Sequence, residues 1–157
     1  MAILIDNRQR RRKTTLKQIR KTAQVLLNAL GSPDAELSVV LVDDPGITEL
    51  NRTYLDREGP TNVIAFPMQE GDFSHIAPDL LGDVVISTDR TAAEAAELGI
   101  SYRDRFDFLL IHGILHLMGY DHETSEADEK IMEAKTDELF ALIKAIEREE
   151  TNGGTGG

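Results

Sequence analysis

Apolar and polar positions along the chain follow two periods. Short runs rich in Val, Ile and Leu suit strands at Ala2 to Ile5, Glu36 to Val42, Asn62 to Met68 and Leu81 to Ser87. Between them, apolar residues recur every three or four positions, the period of a helix with one buried face. In the first such segment Leu16, Ile19, Ala23, Leu26, Leu27 and Leu30 form the stripe; Thr15 with Gln18 offers a capping box, and Gly31 follows the end. The stretch DDPGITELNRTYL, from Asp43 to Leu55, reads as a short capped helix, and Thr88 to Leu98 as another ending at Gly99. Ser101 with Asp104 opens a helix that reaches Met118 and stops at Gly119. Ser125 with Asp128 opens the last, which runs through Ile131, Leu139, Leu142 and Ile146 toward Glu150. Gln69 to Asp79 carries the Gly, Ser and Pro punctuation of an exposed loop, and residues 151–157 read as a disordered tail. With no repeat and no linker, the pattern predicts a single catalytic α+β domain over residues 1–150. Its sheet is mixed and roughly four-stranded, with about five helices around it.

One of these helices lacks a polar face. From Phe106 to Met118, apolar residues cover nearly every side, so it belongs at the centre of the fold. It nevertheless holds His112 and His116, which lie on one face with about 6 Å of axial rise between them. Burying two imidazoles costs free energy unless their nitrogens find partners, and a divalent metal satisfies one nitrogen on each. Gly119 can adopt a left-handed backbone and turn the chain back, which brings His122 round as a third ligand. Three neutral imidazoles favour zinc, or another first-row divalent ion, with a coordination position left open as in catalytic sites. The remaining histidine, His75, falls in the loop, outside this pattern.

Composition narrows the chemistry further. The chain has no cysteine, which excludes disulfides and thiolate ligands, and no run approaches the roughly 20 apolar residues of a membrane span. A cytoplasmic protein with no membrane partner is expected. The net charge of −11 is unevenly spread. Between Arg8 and Lys21 there are eight basic residues and no acid, which leaves nine basic against 28 acidic residues elsewhere. Such asymmetry suits a polyanion partner, although a solvated helix face reads the same way. Lys13, Lys17, Arg20 and Lys21 are the candidate RNA-binding residues, expected along one side of the first helix, away from its apolar stripe.

HGILHLMGYDH, from His112 to His122, is one letter short of a metalloprotease signature, because Gly113 stands where that signature has its catalytic glutamate. General acid–base catalysis is commonly worth ~10²–10⁴ in rate, so peptide hydrolysis would suffer. A phosphodiester carries its own charge, which suits a metal and nearby arginines, and RNA supplies an internal 2′-hydroxyl nucleophile. On this reading the bareness of Gly113 gives a substrate backbone access to the metal.

The block HGILHLMGYDH, preceded by LNRTYLDREGPTNVIAFP and LLGDVVIS, resembles the YbeY family of bacterial rRNA maturation factors and endoribonucleases, from about Leu37 to the last helix. The resemblance implies zinc held by His112, His116 and His122, and cleavage of single-stranded RNA in small-subunit rRNA 3′-end processing and ribosome quality control. It also implies rRNA or the small ribosomal subunit as partner, with ribosomal or assembly-factor proteins as further partners. Leu55 stands where the family often has arginine, which leaves Arg57 or Arg52 as the nearby cation, and Ala65 stands where serine is common. Asp121, beside a ligand, could orient an imidazole or act as base; Arg57 and Asp121 are thus the catalytic candidates. Asp83 is a candidate buried carboxylate. Two rival readings remain: a metallopeptidase-like or other metal-dependent hydrolase, and a non-catalytic ribosome-assembly factor stabilised by zinc.

Overall fold

A computed structural model describes residues 3–13, 15–68, 80–120 and 125–156, with side chains as far as residue 150. The elements run β1 (Ile3–Asn7), α1 (Leu16–Ala29), β2 (Glu36–Val42), α2 (Asp44–Leu55), β3 (Val63–Pro67), β4 (Leu80–Ser87), α3 (Thr88–Leu98), α4 (Tyr102–Leu117) and α5 (Glu126–Gly156). The strands form one mixed sheet in the order β1-β2-β4-β3. β2 pairs in parallel with β1 and with β4, and β3 pairs antiparallel with β4. The loop predicted over Gln69 to Asp79, His75 included, lies outside the described residues.

Alternation along the strands divides the core in two. Leu37, Val39 and Leu41 of β2 and Val84 and Ile86 of β4 face α1, α4 and α5, while Val40, Val42, Ile64 and Val85 meet Ile47 of α2 on the other side. Within the larger layer Leu110, Ile111, Ile114 and Leu115 are completely buried, so α4 is the central helix its sequence predicts. The α1 stripe is as expected, with Ile19, Ala23, Leu26 and Leu27 buried.

Most helix starts carry the bonds their sequences promise. Asp43 accepts from Gly46 N at 2.8 Å, Ser101 Oγ from Asp104 N at 3.0 Å, and Ser125 Oγ from Asp128 N at 3.0 Å. The capping box at Thr15 does not form. Only its carbonyl accepts, from Gln18 N and Ile19 N at 3.1 Å each, and Gln18 lines a cavity against α4 instead. On α5 the buried face is Met132, Thr136, Leu139 and Ile143, whereas Ile131 and Leu142 are exposed. Its backbone is helical to Gly156, past Glu150 and into the stretch read from sequence as a disordered tail.

Candidate metal centre

The end of α4 builds the site. Gly119 has φ +99°, and its N–H donates to His116 O at 3.1 Å while Tyr120 N donates to Leu115 O at 2.9 Å. These bonds satisfy the last carbonyls and turn the chain out of the helix. One turn apart on the same face, His112 and His116 are half-buried. Their Nε2 atoms are 3.1 Å apart, with ring centroids separated by 4.7 Å and planes at 67°. Two N–H groups cannot point at each other at that distance, so at least one nitrogen presents a lone pair. Two imidazole nitrogens at tetrahedral positions on one zinc ion, each about 2.0–2.1 Å from it, would be roughly 3.3 Å apart. The pair therefore fits a shared divalent ion. His122 and Asp121, the other candidates here, lie outside the described residues.

One ring packs on this pair, and a chain of polar groups supports that ring. Phe108 stacks on His112 at 6.4 Å between centroids, and the Arg105 guanidinium lies 4.7 Å from the Phe108 ring centre. Arg105 Nε donates to Glu94 Oε1 at 2.9 Å, and Asn62 Nδ2 reaches the same carboxylate at 3.2 Å. Across from the histidines, α5 closes a cleft of about 290 Å³ lined by Phe108, His112, Glu129, Glu133, Thr136 and Asp137. The three carboxylates recur every fourth residue, a spacing that puts them on one helix face; that they face His112 needed the packing of α5 on α4.

Gly113 corrects a sequence expectation. It is buried, and a Cβ there would lie 2.5 Å from Val84 Cγ1. The missing side chain lets α4 approach β3 and β4; it does not open the metal to substrate.

The endoribonuclease YbeY family model matches residues 4–144. The chain belongs to this family. It is 53% identical over 145 residues to the endoribonuclease YbeY of Geobacter sulfurreducens, covering 92% of this chain and 97% of that one. The endoribonuclease YbeY of Aquifex aeolicus is 44% identical over 138 residues, covering 87% and 90%. A solution structure from Thermotoga maritima superposes with a TM-score of 0.67 at 25% identity, covering 94% and 93%.

Other candidate residues of this YbeY chain are dispersed. Arg52 is exposed and paired with Glu49 at 2.5 Å. Arg57 is exposed and has no ion-pair partner among the described residues. Both belong to α2 and the turn after it, and α2 packs on the sheet face opposite α4. Asp83 is half-buried and alternates with Val84, which puts it on the α2 face as well. Leu55 is exposed at the end of α2, and Ala65 is half-buried in β3. Lys17, Arg20 and Lys21 are exposed on α1, but Lys13 precedes the helix, so the four do not form one row. Lys21 pairs with Glu150 of α5, and Arg20 Nε donates to Ile3 O at 3.4 Å. Phe108, Arg105 and the α5 carboxylates were not singled out from sequence, because their roles depend on contacts between elements.

Proposed function

We propose that this chain is a zinc-dependent endoribonuclease for single-stranded RNA that acts in small-subunit rRNA 3′-end maturation and ribosome quality control. Family membership makes it an enzyme that hydrolyses RNA; the metal, the strand preference and the ribosomal role are the proposal. The observation that carries it is the convergence of the His112 and His116 Nε2 atoms at 3.1 Å beside an open cleft.

His112 and His116, with His122, would hold the ion. A divalent ion held there supplies Lewis acidity, which stabilises charge developing on a phosphoryl oxygen. Phe108 fixes the His112 ring plane, and Glu129, Glu133 and Asp137 put proton acceptors on the opposite wall of the cleft. Asp121, next to His122, supplies another acceptor or orients its imidazole. Arg57 remains available to a phosphate at the end of α2, and Lys13, Lys17, Arg20 and Lys21 give RNA a basic approach. A metallopeptidase reading loses its general base, since Val84 and Val63 occupy the space beside Gly113. No described helix is long and apolar enough to cross a membrane. The proposed setting is the cytoplasm, with rRNA or the small subunit, and ribosomal or assembly-factor proteins, as partners.

The test is incubation of metal-replete, nuclease-free protein with single-stranded RNA and with casein, beside His116→Ala. RNA should be cut and casein left intact, and the variant should lose roughly a hundredfold or more of the cleavage rate. Casein cleavage with intact RNA would overturn the reading.

A further inference from the structure

A second cavity, of about 180 Å³, lies at the other end of α4 from the histidines, where the start of that helix meets α1 and the basic segment before it. From Tyr102 to His112 is ten residues, or about 15 Å along the helix axis. The walls are mostly carbon, from Ile19, Phe106 and the Tyr102 ring. The two rings lie 25° from parallel, with centroids 6.2 Å apart. Polar groups reach the surface at few points, among them Gln18 and Thr22. The Tyr102 hydroxyl is buried and makes no hydrogen bond among the described residues. Burial raises its pKa, which keeps it a neutral donor.

Lys13 lines this slot, and the Arg12 guanidinium lies 5.5 Å from the Tyr102 ring centre; Arg103 also lines it, but its Nη2 is bound to Glu147 at 2.8 Å. The carboxylate in its wall, Asp107, is bound by Lys144 Nζ at 2.7 Å and lies 3.8 Å from Arg103 Nε, so its charge is offset. The cavity thus combines aromatic and apolar walls and an unsatisfied donor with the adjacent basic pair Arg12 and Lys13, on a chain that is otherwise acidic.

We infer that this cavity binds one unstacked base of single-stranded RNA, with the flanking phosphates on Arg12 and Lys13, as an anchor at the other end of the helix that carries the histidine pair. The inference rests on the RNA-cleaving reading above and adds to it a site for the strand. Bases present a flat π surface that aromatic and apolar walls accept without regard to sequence, and their edges offer acceptors to a donor such as the Tyr102 hydroxyl. A phosphate alone would not use the carbon walls. A paired base is shielded by its stack, so the slot selects single strands.

The experiment measures binding of a 2′-O-methyl RNA strand, which lacks the internal nucleophile, by fluorescence anisotropy. Controls are a sugar–phosphate strand of equal length without bases, and the duplex. Tyr102→Phe deletes only the hydroxyl and should weaken binding roughly three- to tenfold. Thr15→Trp fills the slot from an exposed position whose side chain makes no cap bond, and should weaken it roughly tenfold or more. The wild type should bind the baseless strand and the duplex about as weakly as Thr15→Trp binds the intact strand. Metal content and melting temperature report whether each variant folds, and Tyr102→Phe keeps the test if Thr15→Trp does not. Wild-type affinity in Tyr102→Phe and in folded Thr15→Trp, or equal binding of intact and baseless strands, overturns the inference while RNA cleavage stands. Failure of the wild type to bind or cut RNA overturns both readings.

Discussion

A methyl group added at Gly113 would lie 2.5 Å from Val84 Cγ1, 3.1 Å from Val84 Cγ2 and 3.3 Å from Val63 Cγ2. Valine in a strand has few alternative rotamers, so α4 would have to move off the sheet. Gly113→Ala is therefore expected to destabilise the protein by about 1–3 kcal/mol, even though alanine favours a helix by about 1 kcal/mol over glycine. Combining it with Val84→Ala should recover part of that loss, because the two changes share one contact. Chemical denaturation of the four proteins measures this; a more stable Gly113→Ala would contradict it. The same residue shows where sequence stops being informative. The histidine spacing and the glycine that ends α4 were legible, since both are local. That Gly113 serves packing was not, because Val84 comes 29 positions earlier in the chain.

Between elements, the contact of α4 with α5 depends on charge as well as carbon. Lys144 Nζ of α5 reaches Asp104 and Asp107 of α4 at 2.7 Å each, and Glu147 at 2.9 Å. Burial pushes the Asp107 carboxyl up from 3.8 to about 6, against the pull of Lys144 and with the help of the Glu147 carboxylate. For Lys144, burial alone lowers the pKa, and its hydrogen bonds to Asp104, Asp107 and Glu147 outweigh that and raise it. Glu147 is lowered: burial opposes this, and Lys144, Asp107 and Arg103 outweigh it. Between pH 3.8 and about 6 the Asp107 carboxyl holds its proton more tightly folded than unfolded. Its contribution to stability is thus greatest at the acid end of this window and lost as pH rises through it. Glu147 acts in the opposite sense, losing its contribution as pH falls. Asp107→Asn removes the first effect and leaves Lys144 and Arg103 to hold the Glu147 pKa down. Thermal melts from pH 5 to 7.5 should show the wild type losing ground to Asp107→Asn as pH rises, whereas a constant difference would contradict this. None of this network was visible in sequence, where Asp107 and Lys144 are 37 positions apart. The caps at Asp43, Ser101 and Ser125 were visible because each bond spans three residues. The box at Thr15 does not form, and Gln18 lines the cavity against α4 instead.

Across the whole molecule, the sheet and helices were legible as elements, while the β1-β2-β4-β3 order and the placing of α2 opposite α4 come from long-range pairing. That arrangement puts α2, with Arg52, on the sheet face opposite the histidines. It also puts the half-buried histidine pair at one end of α4 and the cavity beside Tyr102 at the other. In the proposed function the histidine pair holds a metal on which RNA cleavage depends. Measuring bound metal per chain and RNA cleavage on one preparation, for wild type and His116→Ala, tests it most directly. About one zinc-like ion per wild-type chain is expected, with ion, cleavage and part of the thermal stability lost together in the variant. Full metal occupancy in His116→Ala, or undiminished cleavage without the ion, would contradict it.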